Sequence, residues 1–378
     1  MIDALLAALV EVLHWDAMSF MLIGIALGFW VGLLPGFGGG TTLALMLPFV
    51  YRMEPVQAFA FLLGMHAVTA TTGDITSILF GIPGEGTTAA TILDGYAMSK
   101  KGQAGRALGA ALTSSLIGAI IGAAALALAI PIVRPLVLAF GSPELFMLAI
   151  MGISFIAALS PGGTRGMLRG FLAGCLGLAL AAVGPDPQSG HHRYTFGSLY
   201  LWDGLDLVPV LVGFFAIPEI INLAVRGTAI AGKAPTGKLG GVLEGVRDTF
   251  RHFWLTIRCS LIGTYIGIVP GMGGAVAQWM AYAHATQSAK TPKEREGFGQ
   301  GDVRGVLGPG AANNSKEGGD LIPTVAFGVP GSSSMAILLG GFLLVGLTPG
   351  PEMLTRHLNV TLSMVWTIVL ANVITVTV

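Results

Sequence analysis

Charge is scarce in this sequence: only 11% of its 378 residues are Asp, Glu, Lys or Arg, whereas soluble globular domains carry about 25%. Hydrophobic residues make up 53% of the chain, and the mean hydropathy is +0.76. This composition excludes a disordered chain and argues against a soluble enzyme. Because 20 basic residues balance 20 acidic ones, the chain has no net positive field to attract nucleic acid.

Cysteine is rare as well, and the N-terminus lacks basic residues. Cys175 and Cys259 stand in apolar stretches without metal-ligand spacing, so we predict two buried thiols and no metal site. Residues 1–13 contain acidic side chains but no Lys or Arg, which argues against a cleaved secretory signal. We expect residues 1–16 to form an amphipathic segment at a membrane interface.

Long uncharged stretches accompany this shortage of charge. A helix needs about 20 apolar residues to cross a bilayer core of about 30 Å. The sequence therefore predicts an all-α polytopic membrane protein. The candidate stretches lie between Asp16 and Arg52, Arg106 and Arg134, Glu144 and Arg165, Arg169 and Asp186, Arg258 and Lys290, Asp320 and Glu352, and from Leu207 to Val225 and Arg356 to Val378.

The loops between these stretches differ in charge. The loop 226–258 holds six basic residues against two acidic ones, whereas Gly184–Asp206 holds three Asp residues and one Arg. Since basic loops stay in the cytoplasm, we predict that 226–258 is cytoplasmic and that Gly184–Asp206 lies outside. The acidic N-terminus then also lies outside.

The chain contains an internal repeat. The segments GFWVGLLPGFGG (28–39) and GTYIGIVPGMGG (263–274) are identical at six of twelve positions, at an offset of 263 − 28 = 235. The motif Phe80–Gly84 recurs as Phe327–Gly331, at an offset of 327 − 80 = 247. The polar stretch Lys290–Arg304 can hold the extra residues. Because the first copy starts outside and the second starts after the cytoplasmic loop, we predict two inverted-topology repeats, an architecture of many secondary transporters.

Each repeat contains two Gly-Pro interruptions within its apolar stretches. Proline and glycine end helices in any protein, but paired and duplicated interruptions favour broken helices and re-entrant hairpins that line a cavity. The new helix starts offer free N–H groups and a partial positive charge to a carboxylate. We expect them to bind an anion without a basic side chain, through Gly36, Gly38, Gly39, Thr41, Ser77, Pro83, Gly84, Gly271, Gly273, Gly274, Pro330, Gly331, Ser332 and Ser333.

One acidic residue precedes the second interruption of each repeat, Asp74 in the first and Asp320 in the second. Asp74 and Asp320 are candidates for coupling to sodium or a proton, because an ionisable group beside a broken membrane helix is typical of such sites. The alternative is that both are ordinary loop carboxylates at the membrane surface. Asn313 and Asn314 could donate to a substrate carboxylate or coordinate a cation, and the alternative is a turn.

These residues resemble the TctA family, the large membrane subunit of tripartite tricarboxylate transporters. The resemblance covers nearly the whole chain. It depends on Pro35–Gly39, Ser77–Glu85, Leu93–Leu108, Pro270–Gly274, Ala311–Asn314 and Ile322–Ser332.

The resemblance implies a permease for citrate-like or other organic carboxylates in the bacterial inner membrane, driven by an ion gradient. It implies a small four-helix (TctB-like) membrane subunit and a periplasmic (TctC-like) binding protein as partners. We expect no enzymatic activity, no cofactor other than a sodium ion or proton, and no nucleic acid partner; a homodimer is left open. The chain departs from the family at Gly73-Asp74, Ala97 and Pro309-Gly310, so the carboxylate and the ion are not predicted.

We divide the chain into four parts on these grounds. Residues 1–16 form the interfacial segment, 17–225 the first repeat and following spans, 226–258 the basic loop, and 259–378 the second repeat, which we expect to be C-terminally truncated. Two other functions stay open at this point. An uncoupled anion channel would share the cavity, and an intramembrane aspartyl protease would need a second catalytic carboxylate that the motifs do not supply.

Overall fold

The computed structural model describes residues 1–34, 37–141, 143–144, 146–147, 149–151, 154, 163–186, 189–226 and 240–377. The regular secondary structure of this part of the chain is helical apart from one antiparallel strand pair, β1 (Gly184–Pro185) with β2 (His192–Arg193), so the predicted all-α class is confirmed. The helices are α1 Ile2–Leu13, α2 Trp15–Gly32, α3 Gly39–Met46, α4 Pro55–Phe80, α5 Ala89–Lys100, α6 Ala104–Leu138, α7 Gly163–Ala181, α8 Leu207–Leu211, α9 Ile217–Arg226, α10 Val242–Arg251, α11 Phe253–Ile268, α12 Gly273–Gln287, α13 Pro292–Arg295, α14 Arg304–Phe327, α15 Ser333–Leu344 and α16 Leu358–Thr377.

The predicted apolar stretches form helices of two kinds. Among the described residues, three helices (α2, α6 and α16) are long and apolar enough to cross a membrane. Shorter apolar helices occupy Gly39–Val50, α11 and α15. The stretch from Asp16 to Arg52 thus contains two separate helices, since α2 ends at Gly32 and α3 begins at Gly39.

The order of helices in the first repeat recurs in the second. The series α2, α3, α4, α5, α6 corresponds to α11, α12, α14, α15, α16. Helices α4 and α14 end at the equivalent residues Phe80 and Phe327, and each is followed by a glycine with φ of 68°. Only glycine adopts this left-handed conformation at no steric cost. The opposite orientation of the two copies across a membrane stays a prediction.

The packing of the two copies also corresponds. Helix α2 packs along α4, and α11 packs along α14. Helix α4 contacts α16, and α14 contacts α6. The extra residues of the second copy lie between α12 and α14, where α13 fills the connection, as the repeat offset predicted.

Helix α14 is the central helix of the described fold. Every residue from Gly305 to Ala326 is buried. Two glycines of α6 allow close approach: a β-carbon at Gly118 would overlap the carbonyl of Ala311, and one at Gly122 would stand 2.9 Å from Ser315 Cα. Small residues permit such backbone contact between apolar helices. The consequence is that polar side chains of α14 are held in the interior.

The prediction of two buried cysteines is half wrong. Cys259 is buried, but Cys175 is exposed on α7. An apolar sequence context does not distinguish a side chain that faces the protein interior from one that faces lipid, because both surroundings are apolar.

Within the basic loop 226–258, residues Val242–Arg251 form helix α10, which packs on α6. Arg106 Nε lies 2.6 Å from Asp248 Oδ2 in this contact. Helix α11 begins at Phe253, inside the segment 226–258 that the sequence assigned to the loop. Residues 227–239 lie outside the described residues.

Candidate substrate and ion site

The two interruptions within each half of the chain lie against each other. In the first half, a β-carbon at Gly38 would stand 3.3 Å from Glu85 Cγ. In the second half, the N–H of Gly271 donates to the carbonyl of Gly331 at 2.9 Å. The start of one helix thus meets the loop that follows the long helix of the same half.

The interruptions also meet across the two halves. A β-carbon at Gly40, in the first turn of α3, would stand 3.4 Å from Ser334 Oγ at the start of α15. A β-carbon at Gly274, at the start of α12, would stand 2.7 Å from Thr87 Cγ2. Each half therefore places the start of its short helix against the second interruption of the other half, and all four interruptions converge.

The predicted anion-binding residues surround this convergence, with changes in detail. Helix α3 begins at Gly39, with Gly38 as its N-cap, so Thr41 lies within the first turn and does not cap the helix. Thr42 donates to the carbonyl of Gly38. The N-cap is thus a glycine, which is tolerated at this position although it supplies no side-chain acceptor. Gly36 lies outside the described residues.

The second interruptions press against the helices that precede them. A β-carbon at Gly84 would stand 2.6 Å from Gly73 Cα, and one at Gly331 would stand 2.7 Å from Asp320 Cα. The Ser77 hydroxyl oxygen lies 2.9 Å from the Gly73 carbonyl oxygen and 2.8 Å from Thr88 Oγ1, and its single hydrogen is donated to one of them. Pro83 and Pro330 stand directly before these glycines. The backbone of each loop thus lies directly against α4 or α14, with no room for a side chain at these glycines.

The helix starts of the second half differ in their surroundings. Ser332 is the N-cap of α15, and its hydroxyl accepts from the N–H of Met335 at 3.4 Å. Ser333 follows as the first helical residue and is exposed. Gly273 begins α12 with φ of 67°, and a β-carbon added there would meet nothing within 4 Å.

A buried ion cluster, formed by His66, Lys316, Glu317 and Asp320, stands beside the converging interruptions. Lys316 Nζ lies 2.5 Å from Glu317 Oε1 and 3.5 Å from Asp320 Oδ2. His66 Nε2 lies 3.2 Å from the same Glu317 oxygen. A β-carbon at Gly274 would stand 2.9 Å from Lys316 Cδ, so the lysine side chain lies against the start of α12.

His66, Lys316 and Glu317 are not among the residues that the sequence predicted for the site. The sequence predicted an anion site without a basic side chain, because its long uncharged stretches contain no Lys or Arg. The structure places Lys316 inside a buried helix, with Asp320 four residues further on the same face. This i, i+4 pair within a segment rich in Gly and Ala was the available signal.

Asp74 and Asp320 are both buried within helices, at 1% and 0% exposure. The alternative that they are surface-loop carboxylates is therefore wrong. Asp74 accepts a hydrogen bond from Asn313 Nδ2 at 3.3 Å, and the same amide donates to the Ala70 carbonyl at 2.9 Å. The turn alternative for Asn313 and Asn314 is excluded as well, since both lie within α14.

Asn314 joins four helices in the interior. Its amide nitrogen lies 2.6 Å from Thr71 Oγ1 in α4, 2.7 Å from Ser115 Oγ in α6 and 2.6 Å from Asn372 Oδ1 in α16. Thr71 also lies 3.0 Å from Asn372 Oδ1. An amide nitrogen has two hydrogens, so these acceptors share them. We infer a structural role for Asn314 beside the site.

The arrangement provides polar groups for a small charged ligand. Helix starts bring free N–H groups, Lys316 brings an ammonium group, and Glu85 Oε2 and Thr87 Oγ1 are buried without a hydrogen-bond partner. Unpartnered buried polar atoms are rare, because each one costs free energy. No group of three or more His, Cys, Asp or Glu residues suited to a metal ion occurs in the described part of the chain.

Comparisons with known proteins agree with the sequence resemblance. The family model described as "Tripartite tricarboxylate transporter TctA family" matches residues 18–378. The chain is 33% identical over 336 residues to an uncharacterized 52.8 kDa protein in the TAR-I ttuC' 3'region of Agrobacterium vitis, an alignment that covers 89% of this chain and 65% of the relative.

A shorter match and a negative result complete these comparisons. An uncharacterized protein in the TAR-II ttuC' 3'region of Agrobacterium vitis is 37% identical over 95 residues, which cover 25% of this chain and 38% of the relative. This chain therefore spans about two thirds or less of the curated relatives it matches. No solved structure matches it.

Proposed function

Because this chain belongs to the TctA family of tripartite tricarboxylate transporters, we propose that it is the permease subunit of a secondary-active system that imports citrate-like tri- or dicarboxylates or related organic acids. The proposed location is the bacterial inner membrane. A small four-helix membrane subunit and a periplasmic binding protein are the proposed partners. Transport rather than covalent chemistry is the proposed task of the chain.

The convergence of the four interruptions is the observation that supports this proposal most. Helix starts of both halves meet there, with contacts from Gly40 to Ser334 and from Gly274 to Thr87. Helix N-termini bind carboxylates because their free N–H groups and dipoles favour negative charge. A carboxylate held between the two halves would be released to either face when the halves move relative to each other, as in alternating access.

Lys316 supplements the helix starts in the proposed mechanism. Its ammonium group is held by Glu317 and Asp320, and its methylene chain lies against Gly274. A substrate carboxylate that approaches the start of α12 would compete with these two side chains for the ammonium group. Binding of substrate would thereby alter the ion cluster that joins α4 to α14.

The proposed driving force is an ion gradient, with Asp74 and Asp320 as the coupling candidates. Both carboxylates are buried beside the interruptions that follow α4 and α14. An intramembrane carboxylate of this kind is commonly a site for a coupled cation or proton. An inverted relation between the halves would expose the shared site alternately to the two faces.

Uptake into proteoliposomes tests the proposal. The protein, reconstituted with its small subunit and supplied with binding protein and labelled citrate, should accumulate substrate above its external concentration when an inward sodium or proton gradient is imposed. An ionophore that dissipates the gradient is the control and should abolish the accumulation. Flux that only equilibrates citrate would support an uncoupled channel, and the absence of flux with a panel of di- and tricarboxylates would contradict the permease.

A further inference from the structure

Asp74 is a buried carboxylate without a basic partner among the described residues. Its surroundings are the amide of Asn313 and the hydroxyl of Thr91. The one buried lysine of this region, Lys316, is engaged by Glu317 and Asp320. A buried carboxylate without a compensating charge is costly, so it requires either a proton or a bound cation.

Three oxygen atoms around Asp74 have no hydrogen-bond partner within the described structure. They are Asp74 Oδ1, Asn313 Oδ1 and Thr91 Oγ1, and all three are buried. The Thr91 hydroxyl lies beside the Asp74 carboxylate, yet it makes no hydrogen bond of good geometry. Buried oxygens whose lone pairs accept no hydrogen bond can coordinate a cation.

The orientation of the Asn313 amide follows from its contacts. Its nitrogen faces the Ala70 carbonyl at 2.9 Å. A carbonyl can only accept, so a flipped amide would place two acceptors against each other. The nitrogen also donates to Asp74 Oδ2. The amide oxygen and Asp74 Oδ1 are consequently the atoms left for another ligand.

The charge of the surrounding interior favours a cation. Six ionisable groups of this interior interact through their charges: the carboxylates of Asp74, Glu85, Glu317 and Asp320, the ammonium group of Lys316 and the imidazole of His66. With a neutral imidazole, the formal net charge of these six groups is 1 − 4 = −3. With a protonated imidazole it is −2. An anionic substrate adds further negative charge. Its entry therefore becomes favourable when cations enter the same region.

The donor set selects the chemical class of the cation. One carboxylate and neutral oxygens balance a single positive charge, and hard oxygen donors suit a hard cation. No sulfur or imidazole ligand is part of the set. We propose that Asp74 Oδ1, Asn313 Oδ1 and Thr91 Oγ1 form a binding site for a monovalent cation of the size of sodium, between α4, α5 and α14. The inference rests on the proposed function in that this cation would be the coupled ion.

The site can be tested by binding alone, in the purified full chain without substrate. Replacement of choline chloride by sodium chloride at equal ionic strength and pH should raise the Tm of the wild type by about 3–5 °C, because a ligand that binds only the folded state stabilises it. Asp74→Asn should abolish this sodium shift. It should not lower the Tm in choline, since it removes an uncompensated buried charge.

Thr91 provides a matched pair of variants. Thr91→Val keeps the shape of the side chain but removes the oxygen, so it should reduce the sodium shift. Thr91→Ser keeps the oxygen and should retain the shift. A sodium shift of equal size in the wild type and in Asp74→Asn would overturn the site. A wild-type Tm that responds to pH but not to sodium would overturn it in favour of a proton.

The sodium shift and the uptake measurement together distinguish a failure of this site from a failure of the proposed function. A sodium shift that depends on Asp74, found in a protein without citrate uptake, would support the site and contradict the permease. Citrate uptake that is coupled to sodium and unchanged by Asp74→Asn would support the permease and overturn the site.

Discussion

His66 and Glu317 meet at 3.2 Å between the long helices α4 and α14. A second contact between these helices joins Asn313 to the Ala70 carbonyl at 2.9 Å. The repeat offset relates the two contacts, because 313 − 247 = 66 and 317 − 247 = 70. Each residue of one contact therefore corresponds to a residue of the other, with the helices exchanged. This is the contact pattern that a local two-fold relation between the repeats produces.

The reciprocal contact explains why the interruptions converge. If α4 and α14 are related in this way, the loops at their ends and the short helices beside them are related as well. The contact of Gly40 with Ser334 and the contact of Gly274 with Thr87 form such a related pair outside the two long helices. The site is thus built from both repeats, and neither repeat contains it alone.

Glycine at position 84 is expected to be required for transport. In Gly84→Ala the new methyl group would stand 2.6 Å from Gly73 Cα, so the loop after α4 must shift away from the site. We expect uptake to fall at least tenfold and stability to fall by about 1–3 kcal/mol.

Gly86 supplies the matched control for this prediction. It lies two residues further along the same loop, and a β-carbon there would meet nothing within 4 Å. Gly86→Ala should therefore transport like the wild type. Equal uptake by the Gly84 and Gly86 variants would show that the position of this loop does not matter for transport.

Removal of Lys316 should destabilise the protein. Lys316→Met leaves Glu317 and Asp320 buried without their ammonium partner, and breaking a buried ion pair in this way costs about 3–5 kcal/mol. Denaturation of the detergent-purified protein measures the loss. The double variant Lys316→Met/Glu317→Gln should recover part of it, because one uncompensated charge is removed.

Lys293 in α13 is the control for Lys316. It is exposed, and Lys293→Met should change stability by no more than about 0.5 kcal/mol. A Lys316→Met protein as stable as the wild type would mean that the cluster is not held by this lysine.

Asn314 should contribute to stability through the polar contacts between four helices. Asn314→Ala removes the donor to Thr71, Ser115 and Asn372. We expect a loss of about 1–3 kcal/mol, which is the cost of leaving a buried polar group without its partner. Asn359→Ala, at an exposed position, should have little effect. The prediction is wrong if both variants unfold at the same temperature as the wild type.

A disulfide across the site should stop transport. The β-carbon of a cysteine at position 40 would stand 3.4 Å from the position of Ser334 Oγ, close to the geometry that a disulfide needs. The variant Gly40→Cys/Ser334→Cys, made in a Cys175→Ser background, should lose its new free thiols on oxidation. Uptake should fall at the same time and return after reduction, since the bond ties α3 to α15.

The single-cysteine variants are the controls for this experiment. Oxidation should leave the uptake of each one unchanged. Thiols at positions 40 and 334 that stay free under oxidation would contradict the contact between the two halves. A bridged protein with undiminished uptake would contradict relative movement of α3 and α15 during transport.

Local sequence features determined where the helices end. The Gly-Pro motifs predicted the interruptions after Phe80 and Phe327, because glycine and proline act on the backbone within one or two residues. The shortage of charge determined the all-α membrane class in the same way. The repeat was readable too, since corresponding helices keep their motifs at nearly constant offsets.

Only the tertiary structure decided which interruptions meet and which charges share the interior. The contact between Gly274 and Thr87 joins residues far apart in the chain, and no local pattern encodes it. Lys316 lies outside the uncharged stretches that the sequence offers as membrane spans, and hydropathy does not distinguish a charge in water from one compensated by its neighbours. The prediction that Cys175 is buried was wrong because an apolar helix face packs equally well against lipid or against protein. Sequence therefore determined the breaks in the backbone, and long-range packing determined the site that they form.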